Sequence, residues 1–190
     1  TANAENPLLE AWRTPLETPP FDRIAPEHFL PAFEQAFADH AAEVAAITQD
    51  PAEPDFANTI VALERSGKLL SKVSAVFYDL VSAHSSPELL AIDSEVSLRQ
   101  ARHWNPILMN AVLFGRIAKL HENRTGLGLT PEQLRLLERT YTRFHRAGAG
   151  LDEAAKKRMA DINERLAQLG TTFSHHLLGD EQAWFLELGG

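Results

Sequence analysis

The chain has 190 residues, with 18 Lys and Arg against 26 Asp and Glu, which gives a formal net charge of −8 at pH 7. Because 44% of the residues are hydrophobic, a chain of this length can bury a core, and an intrinsically disordered chain is excluded. The sequence has no cysteine, which excludes thiolate catalysis, disulfides and cysteine-containing zinc sites. The acidic balance argues against binding a nucleic-acid backbone, which needs a basic face.

The sequence contains no uncharged apolar stretch near the roughly 20 residues that a membrane helix needs. The first six residues, Thr1–Asn6, lack the basic-then-apolar order of a secretory signal. We therefore expect a soluble, cytoplasmic protein.

Residues 1–25 are predicted to form an extended strap on the surface. Prolines at positions 7, 15, 19, 20 and 26 fix φ and remove backbone donors, which disfavours a helix there. Apolar side chains are expected to hold the strap against a neighbouring face: Leu8, Leu9, Trp12, Leu16 and Phe21.

From Pro26 onward the apolar residues recur every three or four positions, which is the period of an amphipathic helix. The first predicted helix carries its stripe from Phe29 to Ile47. A second begins after a cap at Asp55 and is interrupted by Gly67. A glycine costs about 1 kcal/mol in a helix interior, so either the helix breaks there or a neighbour packs closely against the bare backbone.

Local signals predict the ends of the next helices. Ser85–Glu88 starts a third segment, which Pro106 should kink or divide because it removes one intrahelical hydrogen bond. Thr130–Gln133 offers a hydroxyl cap, a proline at the first helical position and a glutamine that completes a capping box. Glycines end these segments, at Gly126 and Gly128 and again at Gly148 and Gly150.

The last helix is predicted to begin near Asp152. Its apolar residues alternate at four- and three-residue spacing, which is typical of a seam packed along a partner helix: Ala155, Met159, Ile162, Leu166, Leu169 and Phe173. Residues 183–188 look like a short strand with no partner strand upstream, so we expect the sequence to end in mid-fold.

The predicted fold is therefore all-α. It comprises about five to six long, mostly antiparallel helices, with an extended Pro-rich strap before them and a strand-like tail after them. The expected domain boundaries are 1–25 for the strap, 26–180 for the helical domain and 181–190 for the start of a truncated element.

Eight histidines raise the question of a metal site: His28, His40, His84, His103, His121, His145, His175 and His176. No two of them have the i, i+3 or i, i+4 spacing that places two ligands on one helical face. His121-Glu122-Asn123-Arg124-Thr125 begins like the zinc motif HExxH but has Thr125 at the second ligand position, and a helix C-terminus is the favoured interpretation. His175-His176 is interpreted as a solvated helix end.

The sequence also lacks the motifs of a nucleophilic serine and of a phosphate-binding loop. The serines show no G-x-S-x-G turn, and the paired glycines follow helices rather than opening them, as phosphate loops do. Arg99, Arg102 and Arg116 are interpreted as a solvated face, and Trp12, Trp104 and Trp184 as packing anchors. The sequence therefore predicts no catalytic, cofactor-binding or metal-binding residue in this chain.

Several stretches, in their order and spacing, nevertheless point to one family. They are Asn6–Leu9, Pro20–Ile24, Pro26–Phe29, Phe56–Ile60, Ala62–Gly67, Val73–Phe77, Ser82–His84, Arg146–Leu151, Ile162–Leu166 and Leu169–Ser174. Together they resemble the N-terminal region of a bacterial peptidyl-dipeptidase, in the thimet oligopeptidase and oligopeptidase A family of zinc metallopeptidases. The resemblance spans nearly the whole chain.

The resemblance implies that zinc is held by an HExxH helix and a downstream glutamate in a C-terminal catalytic domain that this sequence lacks. No metal-binding residue of the family can therefore be placed here. The family's N-terminal helices form one wall of a deep channel that admits short peptides. By that analogy this chain supplies substrate exclusion rather than chemistry, binds no zinc itself, and has the catalytic domain as its partner. As an isolated fragment it is expected to expose an apolar docking surface and self-associate.

Two other interpretations stay open at this point. A stand-alone helical module that binds a partner protein is the main alternative, and a stop codon after Gly190 would favour it. A complete metal-dependent hydrolase built from the scattered histidines is a minor third, which tight stoichiometric zinc binding would support.

Overall fold

The computed structural model describes residues 6–185, in which the helical period of the sequence becomes helix from Pro26 onward. The α-helices are α1 (Phe29–Gln49), α2 (Ala62–Arg65), α3 (Lys68–Ala83), α4 (Pro87–Leu108), α5 (Ala111–Glu122), α6 (Pro131–Arg146) and α7 (Glu153–Ala183). Short 3₁₀ turns occupy Pro15–Glu17, Pro26–His28 and Arg124–Gly126, and a π-helical turn, Phe56–Val61, leads into α2. The described range contains no strand and six helices of 12 or more residues, so the predicted all-α fold is confirmed. Within that range no helix combines the length and apolarity that crossing a bilayer requires.

The core consists of two apolar clusters. In the first, α1 packs on α3, and the ring of Phe77 lies edge-on to Phe29 and Phe33 with centroids 5.0 and 5.4 Å away. In the second, α5 and α6 pack on the end of α1 through residues that include Leu113 and Phe144. Trp104 of α4 contacts both clusters, and α1 contributes buried residues to both, so these two helices join them.

At Gly67 both alternatives predicted from the sequence occur. The helix breaks between α2 and α3, where Gly67 adopts φ +69°, a left-handed conformation that favours glycine. A Cβ at this position would also lie 3.2 Å from three atoms of the His40 ring on α1. The break therefore allows α3 to change direction while its first residues stay packed against α1.

The helix boundaries predicted from caps and prolines agree with those of the structure. The Asp55 and Thr130 side chains accept hydrogen bonds from backbone N–H groups three residues on, as expected of N-caps. Pro106 lies inside α4, which ends two residues later at Leu108, and the Asn110 side chain then caps α5. The predicted division thus occurs just after the proline.

The strap is anchored near both of its ends, while residues 15–18 between them are exposed. Leu8 is fully buried and Trp12 packs on the first cluster, while the Asn6 side chain donates a hydrogen bond to the His28 carbonyl. Leu16 and Phe21 are 96% and 48% exposed, so the prediction that they hold the strap down is wrong. Apolar contacts also occur at the other end of the strap, where Pro20 is buried and Ile24 packs against the first cluster. Residues 1–5 lie outside the described range.

Arg116 is buried, which corrects its interpretation as part of a solvated face. Its guanidinium donates to the carbonyls of Asp50 and Ala52 and to the side chains of Asn58 and Thr59. A buried guanidinium is tolerated only when its donors are paired, and these hydrogen bonds provide the acceptors. The side chain therefore fixes α5 to the loop that precedes α2.

Other basic residues of that predicted face are paired rather than free. Arg99 binds Glu34 and Glu95, and Arg102 binds Glu164 on α7. Both arginines connect helices distant in sequence, Arg99 joining α4 to α1 and Arg102 joining α4 to α7.

The C-terminal end of the described chain differs from expectation. Helix α7 continues through Ala183, so the predicted strand is wrong at that residue. Trp184 is 72% exposed and is not a packing anchor within the described residues, and Phe185 is 81% exposed. The rest of the predicted strand, residues 186–188, lies outside the described range.

Candidate functional site

Helix α7 lies along α4, and polar groups make much of the contact between them. The α4 residues Arg102, Asn105 and Asp93 face α7. Their bonds run from Arg102 Nε to Glu164 Oε2 at 3.0 Å, from Asn163 Nδ2 to Asn105 Oδ1 at 2.8 Å, and between His175 Nε2 and Asp93 Oδ2 at 2.7 Å.

The opposite face of α7 is apolar and open. Successive residues of an α-helix are rotated by about 100°, so its exposed apolar residues point away from Asn163, Glu164 and His175. We call this set the outer stripe; its members and exposed fractions are Ile162 40%, Leu166 60%, Leu169 49%, Phe173 69% and Leu177 49%. Every α7 residue whose burial is described is exposed or half-buried. The predicted seam against a partner helix therefore has no partner among residues 6–185, which corrects that prediction.

This polarity is the reverse of what a surface helix ordinarily shows, since such a helix buries its apolar stripe and exposes its polar face. Large contiguous apolar patches are uncommon on the surfaces of soluble monomers and mark interaction sites. The outer stripe is therefore the strongest candidate for a functional surface in the described part of the chain.

An open cleft of about 610 Å³ lies where α7 passes the junction between α4 and α5. Apolar atoms of Met109 and Val112 line it together with the polar side chains of Asn105, Lys156 and Glu164. The cleft is continuous with the polar contact between α4 and α7, so the position of α7 determines its shape.

A second group of polar side chains lies where α1, α4 and the turn before α3 meet. His40 Nδ1 is 2.8 Å from His103 Nε2, and His40 Nε2 is 3.2 Å from Ser66 Oγ. Glu43 completes the group by accepting a hydrogen bond from the Gly67 N–H. Sequence reasoning missed this group because the two histidines are 63 positions apart and no local spacing relates them.

The hydrogen bonds decide which atoms carry protons. Ser66 Oγ lies 2.7 Å from the carbonyl oxygen of Leu63, which can only accept, so the hydroxyl proton points there. Ser66 Oγ then accepts from His40 Nε2–H, and His40 Nδ1 accepts from His103 Nε2–H. The serine is thus not oriented as a nucleophile toward a histidine base, because its proton is held by the backbone.

Burial lowers the pKa of both imidazoles, that of His103 to about 4, and the neighbouring His40 also lowers the pKa of His103. Neutral rings are what this chain of hydrogen bonds requires. The group therefore acts as a structural connection between three segments.

The remaining histidine predictions have mixed outcomes. His121 lies at the end of α5, as predicted, and its ring stacks on Tyr141 with centroids 3.9 Å apart. His175 is not at a solvated helix end: it lies eight residues before the end of α7 and binds the buried Asp93. Residues 6–185 bring together no group of three or more His, Asp or Glu side chains placed to hold a metal ion. The zinc that the family resemblance implies therefore does not fit the donors of this range.

Known proteins provide an independent comparison. No family model matches the chain. The dipeptidyl carboxypeptidase of Salmonella typhimurium is 40% identical over 178 residues, which cover 94% of this chain and 26% of that protein. The dipeptidyl carboxypeptidase of Escherichia coli is 40% identical over 173 residues, covering 91% and 25%, and oligopeptidase A of Salmonella typhimurium is 26% identical over 179 residues, covering 94% and 26%.

These matches confirm the resemblance found in the sequence. The chain is a relative of the bacterial dipeptidyl carboxypeptidases and, at lower identity, of oligopeptidase A. It spans about a quarter of the length of the curated relatives that it matches.

Proposed function

We propose that this chain is the non-catalytic N-terminal helical domain of a zinc metallopeptidase of the peptidyl-dipeptidase type, and that it forms one wall of the channel that admits short peptides. The names of the relatives support the class of activity. Their length supports a separate catalytic domain, because roughly three quarters of each relative lies outside the matched region.

The outer stripe of α7 is the observation that carries the proposal. A helix with polar contacts to its own bundle and an apolar stripe on its outer side requires a second apolar surface to cover that stripe. The four- and three-residue spacing of the stripe fits helix-on-helix packing. We propose that the catalytic domain of the longer polypeptide provides the covering surface.

Zinc and the hydrolytic step belong, in this proposal, to that catalytic domain. The described residues offer no donor set for the metal. What the bundle contributes is a rigid wall, which would exclude folded substrates and restrict a short peptide to a few orientations. That the full protein acts in the cytoplasm stays a prediction.

The test is reconstitution from two polypeptides. The 190-residue chain and the remainder of the longer protein are expressed separately, mixed with zinc, and assayed for release of C-terminal dipeptides. We expect no hydrolysis by this chain alone and an increase when the two are combined. The double variant Leu166→Asp, Phe173→Asp should abolish that increase, whereas Gln168→Asp, His176→Asp, which alters exposed polar positions of the same helix, should not.

Chelator-sensitive cleavage by this chain alone would overturn the proposal. So would full activity of the remainder without it. A stand-alone interaction module, the alternative predicted from the sequence, would use the same stripe but would bind a different protein, and it would leave the peptidase assay unchanged.

A further inference from the structure

Helix α6 carries a row of arginines on its solvent side. Arg135, Arg139, Arg143 and Arg146 follow each other at spacings of four, four and three, which places them on one face of the helix. All four are exposed. They line an open groove of about 570 Å³, in which His121, Glu138 and Thr142 are the other lining residues.

The charge of this groove is opposite to that of the chain as a whole, whose net charge is −8. Glu138 is the one carboxylate in the lining, and its ion-pair partner is Arg124, outside the groove, at 4.0 Å. Among residues 6–185 no acidic side chain lies within ion-pair distance of Arg135, Arg139 or Arg146. The groove is thus a local excess of positive charge that the described bundle does not neutralise.

Packing holds the row in place. Leu137 and Phe144 bury the inner face of α6 in the second apolar cluster, and the capping box at Thr130 fixes its first turn. The guanidinium of Arg143 lies over the Trp104 ring, 5.0 Å from its centroid. A rigid helix presents charges at fixed spacing, so less ordering entropy opposes binding.

Beside the arginines, the groove is lined by one aromatic ring, that of His121, which belongs to a stack. Tyr141 stacks on His121 with an interplanar angle of 4°, and the ring of His145 lies 5.9 Å from that of Tyr141 at 7°. Burial lowers the pKa of His121, which favours its neutral form.

We propose that this groove binds an extended acidic peptide, whose carboxylates pair with the arginines of α6. Along a helix that rises 1.5 Å per residue, arginines four positions apart are separated by about 6 Å. In an extended peptide, alternate side chains on one face are separated by about 6.8 Å. A sequence that alternates glutamate with a small residue therefore places its carboxylates in register with Arg135, Arg139 and Arg143, and a guanidinium can hold each carboxylate with two hydrogen bonds.

The choice of a peptide over other polyanions rests on the proposed function, because the relatives are peptidases. The binding itself requires neither zinc nor the catalytic domain. If the acidic peptide binds but the combined polypeptides do not hydrolyse substrate, the proposed function is wrong and the peptide groove stands. If they hydrolyse substrate but the acidic peptide does not bind, the groove proposal is wrong and the proposed function stands.

Fluorescence anisotropy with a labelled heptapeptide, Ala-Glu-Ala-Glu-Ala-Glu-Ala, tests the proposal on the 190-residue chain. We expect saturable binding that weakens as NaCl is raised, since ion pairs at the surface are screened by salt. The triple variant Arg135→Gln, Arg139→Gln, Arg143→Gln should bind at least tenfold more weakly. The control Arg13→Gln, Arg158→Gln, Arg165→Gln removes the same charge at exposed sites elsewhere and should stay within twofold of the unmodified chain.

Three results would overturn the proposal, provided that circular dichroism shows each variant to be as helical as the parent. One is equal weakening by both triple variants, which would mean attraction to overall charge alone. Another is equal binding of the same peptide with glutamine in place of glutamate. The third is displacement of the peptide by inorganic phosphate at a concentration below that of the free peptide, which would indicate a phosphate site.

Discussion

His40 and His103 are in direct contact, with Nδ1 of the first 2.8 Å from Nε2 of the second, although α1 and α4 carry them. His103 Nε2–H donates to His40 Nδ1, so a proton on His40 Nδ1 would place two donors face to face, and burial disfavours a charge on either ring. The pair therefore couples the packing of the two helices to pH.

The free energy of unfolding should depend on pH through this pair. Burial lowers the pKa of both rings in the folded chain, that of His103 to about 4, whereas in the unfolded chain both titrate near 6.5. The unfolded chain therefore binds more protons between these values. Stability from the pair is fully present above about pH 6.5 and is lost progressively as the pH falls toward 4.

Urea denaturation at several pH values between 4.5 and 7.5 measures this effect against matched variants. His103→Gln keeps a hydrogen-bond donor without a titrating ring, so its free energy of unfolding should fall less steeply with acid than that of the parent. His176→Gln, at an exposed histidine of α7, should have the parent's slope. Identical slopes for all three would refute the assignment.

Two glycine substitutions should change the free energy of unfolding in opposite directions. Gly67→Ala forces a left-handed conformation on a residue with a Cβ and pushes that Cβ against the His40 ring, so we expect a loss of about 1–3 kcal/mol. Gly115→Ala lies inside α5 with no atom within 4 Å of the new Cβ, so it should raise stability by about 0.5–1 kcal/mol. Thermal unfolding of both variants checks the signs, and a neutral Gly67→Ala would contradict the geometry.

Replacing the buried Arg116 should lower the free energy of unfolding more than replacing the exposed Arg102. Arg116→Met removes a buried guanidinium and leaves two carbonyls and two side chains without their donor, which should cost about 2–4 kcal/mol. Arg102→Met removes a largely exposed ion pair and should cost less than about 1 kcal/mol. Denaturant titration measures both, and equal losses would show that the buried network contributes little.

The outer stripe should make the isolated chain self-associate. Sedimentation velocity over a range of concentrations is expected to show a rising average mass for the parent. Leu166→Asp, Phe173→Asp should sediment as a monomer with little change in unfolding free energy, because both side chains are already exposed in the folded chain. A monomeric parent at high concentration would remove this support for a docking surface.

Much of the fold could be predicted from local signals. The helical period from Phe29 onward, the caps at Asp55 and Thr130, and the break at Gly67 depend on residues close in sequence, and each appears where predicted. The strand at Ala183 was not correct, because a short apolar run fits a strand and a buried or exposed helix equally well.

Partners distant in the chain could not be predicted in the same way. The bond between His40 and His103 and that between Asp93 and His175 join residues 63 and 82 positions apart. Arg116 looks like an ordinary surface cation in sequence and is a buried hydrogen-bond donor in the bundle. Such placements depend on how helices pack, which no spacing along one helix encodes.

The sequence by itself determined that this protein is an acidic, cysteine-free helical chain related to the dipeptidyl carboxypeptidases, because composition, period and ordered motifs are properties of the chain alone. Only the tertiary structure decided which side of α7 faces the bundle. The spacing of its apolar residues predicts a stripe but does not say what covers it. Polar bonds to α4 turn that stripe outward, and the functional proposal follows from this orientation.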